Sequence, residues 1–240
     1  MNESAFTFTF ENLEKWFSLV LKEKYSIITC ADYAQRKVSL PSTKIFVNRI
    51  DIDISVRKAE RIAQIFNKLN IRGSFFVRLH APEYNPFSFD NFRILRSIAE
   101  AGHEIGYHSE VIDQEAIWCE SAEVCLMRDL KVMQSMFDLK IVGAASHGGI
   151  TGLNNLDFWK NRRPRDYGLL YEAYDKEENF GLFWKSRYVS DSSWHYWKSY
   201  ENGLRLEENR LGIAETVALG LPLVYGLIHP DTYYDRHIYE

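Results

Sequence analysis

Residues 48–55 read NRIDIDIS and place two aspartates in an isoleucine-rich run. Successive side chains of a β-strand point to opposite faces, so Asp51 and Asp53 share one face and the isoleucines share the other. Neighbouring carboxylates repel each other and lose hydration, and a cation or a proton relieves that repulsion. The segment therefore predicts a strand that is buried on its isoleucine face and carries a functional acidic pair on the other.

Strands and helices alternate along the chain on both sides of this segment. Runs with the composition of buried strands are 25–30, 44–54, 73–79, 103–108, 140–148 and 221–230. Amphipathic spacing predicts helices at 10–24, 58–70 and 90–102, and one long helix from the end of the fourth strand to about residue 137. Residues 150–210 are less regular. Repeated βα units predict an α/β fold with a parallel sheet, open or closed into a barrel.

The length of 240 residues fits one large domain or two small ones, and we expect a single domain, 1–240. The net charge of -4 gives no reason to expect a nucleic-acid partner. Three cysteines without a CxxC pair suit reduced thiols. The first residues lack the pattern of a signal peptide, and no run of about 18 apolar residues predicts a transmembrane helix. We therefore expect a cytoplasmic protein, whose oligomeric state the sequence leaves open.

Chemically active side chains recur at or just past the ends of predicted strands. They are Asp51, Asp53, His108, His147 and His229. Sites in parallel α/β folds form at the carboxyl ends of strands, so these side chains are expected to converge. Aspartate and histidine suit a zinc-like or iron-like divalent metal that activates water, while a second carboxylate and a histidine handle protons. The pattern predicts hydrolysis of an amide or an ester.

Six motifs in order resemble the polysaccharide deacetylase family, the NodB-homology group of carbohydrate esterases. They are RIDIDIS, RGSFFV, AGHEIGYHSE, ASHGG, VSDSSWHYW and LIHPD, and together they extend over about residues 43–234. The segment AGHEIGYHSE is the most specific of them. The ASHGG segment is similar to a variant seen in deacetylase-like proteins of surface-polysaccharide gene clusters.

The resemblance implies a distorted (β/α) barrel of the NodB type with about seven parallel strands and a divalent metal. Zinc is the first choice of metal, with iron, nickel or cobalt as alternatives. The implied reaction removes an acetyl or similar acyl group from an amino sugar or sugar precursor during surface-polysaccharide biosynthesis. The expected partner is an acetylated sugar linked to a nucleotide or a lipid.

The resemblance also implies roles for individual residues. Asp53 and His108 are expected to bind the metal, Asp51 to act as the catalytic base and His229 as the catalytic acid. The commoner form of the family motif has its two aspartates adjacent, so the division of roles between Asp51 and Asp53 stays open.

The second histidine of the family motif is missing from this chain. The family places it four residues after the first, and that position is Ile112 here. His147 is our first choice for the third ligand, because the segment ASHGG ends a predicted strand. Glu110 and Asp113 are the alternatives, and loss of the metal is a further one.

Substrate contacts are expected from Arg49, Asp191 and Trp194. Asp191 has an alternative role in orienting a catalytic group or Arg49, and Trp194 with Trp197 is a candidate sugar-facing wall. The segment NRRPR at 161–165 is either a phosphate contact or a solvated basic loop.

Two other functions remain open at the level of sequence. One is a catalytically inactive carbohydrate-binding relic, which the isoleucine at position 112 favours. The other is an amidohydrolase that acts on a non-sugar amide. The exact sugar, the choice between N- and O-deacetylation and the identity of the metal are not decided.

Overall fold

The acidic strand lies near the centre of the sheet in a computed structural model that describes residues 8–35, 44–207 and 210–236. In chain order the elements are α1 (Phe10–Lys22), β1 (Ser26–Ile28), α2 (Cys30–Gln35), β2 (Ile45–Ile52), α3 (Val56–Lys68), β3 (Ser74–Val77), α4 (Phe89–Glu100), β4 (Glu104–Ser109), α5 (Val111–Trp118), α6 (Ala122–Phe137), β5 (Gly143–Ser146), β6 (Tyr171–Glu172), α7 (Leu182–Lys185), β7 (Arg187–Ser190), β8 (Lys198–Glu201), β9 (Leu204–Arg205), α8 (Ile213–Ala218) and β10 (Leu223–Ile228).

Seven strands form a continuous parallel array within the described ranges. Their order across the sheet is β6, β5, β4, β3, β2, β10 and β7, and every neighbouring pair is parallel. β1 pairs with the first half of β2, and β8 and β9 extend the β7 edge in antiparallel fashion. The carboxyl ends of seven strands therefore open on one rim, as the predicted α/β fold requires.

Side chains, not backbone hydrogen bonds, join the two edge strands of the parallel array, β6 and β7. No strand pair joins β6 to β7 among the residues that the structure describes. Tyr174, two residues past β6, instead meets Tyr188 of β7, with their hydroxyl oxygens 3.1 Å apart. The two ends of the array thus lie side by side, and the architecture is a barrel with one seam. This confirms the predicted fold class.

Successive side chains of β2 alternate between two hydrophobic cores. Phe46, Ile50 and Ile52 belong to the larger core under the helices, whereas Ile45 and Val47 belong to a smaller core inside the barrel. The alternation continues along the strand, so Arg49 and Asp51 point into the barrel. The predicted separation of acidic and isoleucine faces is therefore confirmed within the strand.

The chain turns from strand to helix directly after the acidic pair. Ser55 caps α3, because its hydroxyl accepts a hydrogen bond from the Lys58 N–H at 3.2 Å. The apolar stripe of α3 packs on the sheet through Ala59, Ile62 and Phe66, all fully buried. This short connection holds Asp53 at the rim.

The predicted long helix after β4 is wrong, since the structure has two helices there. α5 ends at Trp118, and the capping residue Cys119 has a left-handed backbone with φ of 56° and an N–H that bonds to the Glu115 carbonyl. α6 begins three residues later at Ala122. The apolar pattern continues through the break, because both helices pack on the same core.

In the described part of the chain, no helix combines the length and the apolar character needed to cross a bilayer.

Candidate active site

Asp51 forms an ion pair with Arg49, a residue of the same strand. Arg49 donates from Nε to Asp51 Oδ1 at 2.8 Å and from Nη2 to Oδ2 at 2.6 Å. Both residues are buried, with exposures of 1% and 2%. Burial raises the pKa of Asp51, but Arg49, His108 and His229 together outweigh burial, so the net pKa lies below the ordinary aspartate value. Asp51 is therefore ionised and fixed in orientation.

Asp53 lies between His108, a predicted metal ligand, and His229, the predicted catalytic acid. Its Oδ1 is 3.2 Å from His108 Nε2, and its Oδ2 is 3.9 Å from His229 Nε2. Asp51 Oδ2 also approaches His108 Nε2, at 3.5 Å. Burial raises the pKa of Asp53. His108, and then His229, lower the pKa by more than burial raises it, so the net pKa falls. Four predicted residues, which lie in or just past β2, β4 and β10, thus converge on one point.

The ring of His108 is oriented by the backbone of the next strand. Its Nδ1 lies 2.7 Å from the carbonyl oxygen of Ala145 in β5, so Nδ1 carries the proton and donates it. Nε2 is then left facing the two aspartates. A histidine that must supply a lone pair to a cation needs this arrangement.

His229 is held by a buried carboxylate behind it. Asp191, fully buried at the end of β7, accepts from the ring Nδ1 at 2.6 Å and from the His229 backbone N–H at 2.9 Å. Burial lowers the pKa of His229, but Asp191 and Asp53 outweigh it and raise the pKa to about 9. The imidazole is therefore protonated at neutral pH and can donate a proton from Nε2.

His147 lies beside His108 but faces another residue. The two rings meet edge to face with centroids 5.1 Å apart, and His147 Nδ1 is 3.4 Å from Glu110 Oε1. Within the described ranges, no group of three or more histidine, cysteine, aspartate or glutamate side chains is arranged to hold a metal ion. The donor chemistry of Asp53, His108 and His147 fits a divalent ion, but only Asp53 and His108 are at ligand separation.

The two alternative third ligands are engaged elsewhere. Glu110 Oε1 accepts two bonds from Arg78, at 2.7 and 3.1 Å. Asp113 accepts from the backbone N–H groups of Ile150 and Thr151 and from the Asn155 amide. Asp113 therefore anchors the loop after His147. Ile112 packs against the helix-side core, so its side chain takes no part in the acidic cluster.

Arg78 is the residue that sequence reasoning missed. Arg78 follows β3 directly and is 3% exposed. In addition to its bonds with Glu110, it donates from Nη1 to the Asp53 carbonyl oxygen at 2.8 Å. Its position in the sequence could have identified Arg78 as a site residue. A charged residue that follows a buried parallel strand lies at the rim, as Asp53 and His108 do.

The residues expected to contact substrate have three different environments. Arg49 is covered by the ring of Tyr174 at 4.7 Å and acts on Asp51, so its position is that of an orienting residue. Asp191 orients His229, the alternative role foreseen for it. Trp194 is 37% exposed on the loop after β7. Trp197 is buried against Phe8, so it cannot belong to a sugar-facing wall.

A cavity of about 550 Å³ opens beside the end of β6. Glu172 belongs both to this cavity and to the rim, because its carboxylate accepts the Ser146 N–H next to His147. Burial raises the pKa of Glu172 to about 7, although backbone hydrogen bonds oppose the shift. The lining residues are Leu156, Asp157, Trp159, Lys160, Arg162, Pro164, Glu172, Tyr174, Asp175, Lys176, Glu177 and Trp184.

No protein-family model and no curated protein matches the chain. Among solved structures, it is similar to a deacetylase named PplD from Streptococcus pyogenes, in complex with acetate, with 9% identity and a TM-score of 0.46 over 91% of this chain and 82% of that one. It is also similar to IcaB from Ammonifex degensii, with 17% identity and a TM-score of 0.45 over 62% and 70% of the two chains.

A third similar structure is a mutant of BA3943, described as a CE4 family pseudoenzyme with restored enzymatic activity. The identity is 16% and the TM-score 0.44 over 79% of this chain, which spans 58% of the length of that protein. The wild-type BA3943 of Bacillus anthracis, also described as a pseudoenzyme, matches with the same TM-score. Because these identities and TM-scores are low, the activity of this chain is argued from its own residues.

Proposed function

We propose that the chain is a carbohydrate deacetylase that hydrolyses an acetamide or acetate ester of an amino sugar. The observation that carries the proposal is the convergence of Asp51, Asp53, His108 and the His229–Asp191 pair at one end of the barrel. An ionised carboxylate and a protonated imidazole on either side of one point are the base and acid that acyl hydrolysis needs.

The residues divide the reaction between them. Asp51, kept ionised by Arg49, takes the proton from the attacking water, and the water oxygen bonds to the acyl carbon. His229 gives its Nε2 proton to the leaving nitrogen or oxygen as the carbon–nitrogen or carbon–oxygen bond breaks. Asp191 keeps the imidazole in place for both protonation states. The products are acetate and the free amine or hydroxyl.

Metal binding is part of the proposal. Asp53, His108 and His147 would hold a divalent ion, zinc first and iron, nickel or cobalt as alternatives, which would polarise the acyl oxygen and acidify water. Support comes from the 3.2 Å separation of Asp53 Oδ1 and His108 Nε2, which suits two ligands of one ion.

The substrate that we propose is an acetylated amino sugar of surface-polysaccharide synthesis, linked to a nucleotide or a lipid, and the proposed location is the cytoplasm. The cavity beside β6 gives room for a group attached to the reacting sugar. The basic segment at 161–165 lends little support to a phosphate contact, since Arg165 pairs with Glu177 and Arg163 with Asp166.

A panel of acetylated amino sugars, incubated with the protein and added Zn²⁺, tests the reaction through acetate release. We expect release by the wild type and by Asp90→Asn, an exposed control. Asp51→Asn should lose it, because the amide cannot accept the water proton. Absence of release from every free, nucleotide-linked and lipid-linked sugar would refute the proposal.

Elemental analysis of protein purified without chelator tests the metal. We expect one equivalent in the wild type and its loss in His147→Ala. Retention of the ion in His147→Ala would show that His147 is not a ligand.

A carbohydrate-binding relic is the second candidate, and the incomplete set of metal donors favours it. Sugar binding without bound metal and without acetate release would establish this alternative.

A further inference from the structure

A small cavity beside α3 carries an excess of positive charge. Its volume is about 350 Å³, and Asp235 is the only carboxylate residue among the described residues that line it. Like charges brought together repel each other, and an anion between them relieves the repulsion. The excess stands out in a chain whose net charge is -4. The lining residues are Phe10, Arg57, Lys58, Arg61, Tyr234 and Asp235.

The two arginines of this cavity have weak partners. Arg57 Nη2 lies 3.3 Å from Asp90 Oδ2, and Arg61 Nη2 lies 3.6 Å from Asp235 Oδ1. All four side chains are more than half exposed, and exposed ion pairs contribute little to stability. An anion that enters the cavity can therefore displace the aspartates at small cost.

The lysine between them lies in a more enclosed position. Lys58 Nζ donates to the Asp231 carbonyl oxygen at 3.1 Å and lies 4.1 Å from the centre of the Tyr234 ring. Burial lowers the pKa of Lys58, and the charges of Asp231 and Asp235 offset only part of that shift. A further negative charge in the cavity would therefore stabilise the ammonium group.

The cavity adjoins the catalytic rim. Asp231, whose carbonyl oxygen binds Lys58, follows His229 by two residues. The Asp231 Oδ2 atom accepts the N–H of Ile54 at 2.9 Å, and Ile54 directly follows Asp53. A group attached to a sugar at the catalytic residues thus lies on the same side of the barrel as the three cations.

Phosphate is the anion that this set of side chains suits, because arginine binds it through two parallel hydrogen bonds and lysine adds a compact positive charge. The other cavity at the rim does not suit phosphate. Four carboxylates line the cavity beside β6, namely Asp157, Glu172, Asp175 and Glu177. The basic segment at 161–165 has carboxylate partners at two of its arginines.

We propose that Arg57, Lys58 and Arg61 bind the diphosphate of a substrate in which this group links the reacting amino sugar to a nucleoside or a lipid. The inference rests on the proposed deacetylase and specifies the class of its substrate. Diphosphate is the chemistry that both carriers share. Arg57 and Arg61 are four positions apart on α3, so both guanidinium groups reach one face of the helix.

Binding of inorganic pyrophosphate, measured by titration calorimetry without added metal, is the first test. We expect the wild type to bind it and the affinity to fall as salt is raised. Arg57→Gln/Arg61→Gln should bind about 10-fold more weakly or worse, because hydrogen bonds to a charged group are lost. Arg96→Gln removes the same kind of exposed charge from α4 and is the matched control with unchanged affinity.

Competition between two diphosphates identifies the carrier. Uridine diphosphate and geranyl diphosphate each contain the proposed group, and both should displace pyrophosphate from the wild type. Tighter binding of the first would identify a nucleotide-linked sugar, and tighter binding of the second a lipid-linked one. Failure of both to compete would overturn the inference.

The remaining outcomes separate this inference from the proposed function. A wild type that binds no pyrophosphate, or equal affinities in the wild type and the double variant, would overturn the diphosphate site. An equal loss of affinity in Arg96→Gln would overturn it too, since binding would then follow net charge alone. Pyrophosphate binding with the expected loss but without acetate release would uphold the site and refute the deacetylase.

Kinetics provide the converse separation. Arg57→Gln/Arg61→Gln should raise KM for a diphosphate-linked acetylated sugar by about 10-fold, and leave kcat and the KM of the free sugar unchanged. Acetate release with the same KM for the linked sugar in wild type and double variant would uphold the deacetylase and overturn the diphosphate site.

Discussion

Arg49 and Asp51 are joined by two parallel hydrogen bonds between side chains of the same strand, at 2.8 and 2.6 Å. The pair lies inside the barrel, where the ring of Tyr174 covers the guanidinium. Side chains two positions apart on a strand share a face. The strand that carries the proposed base therefore also supplies its counterion.

Removal of this counterion should destabilise the fold. Arg49→Leu leaves the Asp51 carboxylate buried without its partner, and we expect a loss of about 3–5 kcal/mol in the free energy of unfolding. The double variant Arg49→Leu/Asp51→Leu should recover much of that loss, because no buried charge remains. Urea denaturation measures both. A double variant less stable than Arg49→Leu would contradict the argument.

Asp191 should control the activity of His229. In Asp191→Asn the ring loses its carboxylate partner, so the pKa of His229 falls and its orientation is no longer fixed. We expect kcat for acetate release to fall by about 10²-fold or more. Glu201→Gln, an exposed change on the strand beside β7, serves as the control. Equal kcat in wild type and Asp191→Asn would show that Asp191 does not control the acid.

Asp113 should determine the order of the loop that follows His147. Its carboxylate accepts hydrogen bonds from residues 150, 151 and 155, and Asp113→Ala leaves these donors without an acceptor. We expect a stability loss of about 2 kcal/mol and faster amide exchange at Ile150 and Thr151. Asp157→Ala, on the same segment, should leave exchange at those amides unchanged. Protection retained in Asp113→Ala would show that other contacts hold the loop.

His103 should make the fold sensitive to acid. Its Nδ1 accepts the Gly73 N–H at 3.2 Å, so the ring must be neutral. Burial, and then the charge of Arg72, lower its pKa from 6.5 to about 4. The unfolded chain therefore binds the proton more readily, and stability is lost as pH falls from 6.5 to 4, by about 2 kcal/mol.

Replacement of this histidine tests the argument. The free energy of unfolding of His103→Gln should depend less on pH between 6.5 and 4 than that of the wild type. His195→Gln, at an exposed position, is the control. Parallel pH profiles for wild type and His103→Gln would assign the acid sensitivity to another group.

The strand-end pattern predicted much of the site, because parallel strands bring their carboxyl ends to one rim. Asp53, His108 and His229 meet as expected for that reason. The pairing of Arg49 with Asp51 also follows from the period of two, although we expected Arg49 to contact substrate. Arg78 follows the same rule and was overlooked.

Other features depend on contacts that no local pattern contains. His147 Nδ1 lies 3.4 Å from Glu110 Oε1, and Arg78 binds that same oxygen, so the neighbours of the ring come from the ends of two other strands. The break between α5 and α6 depends on a left-handed residue, Cys119, of a type that rarely adopts that conformation. The burial of Trp197 depends on Phe8, far away in the chain.

The seam between β6 and β7 has a consequence for how such a barrel can diversify. Two tyrosine hydroxyls join its sides, so segments that flank the seam can grow or shrink without loss of backbone ladder bonds. Residues 150–170 and 173–185, which supply most of the neighbouring cavity, belong to those segments. Evolution can therefore alter what the barrel recognises there while the strands that carry the aspartates and histidines stay unchanged.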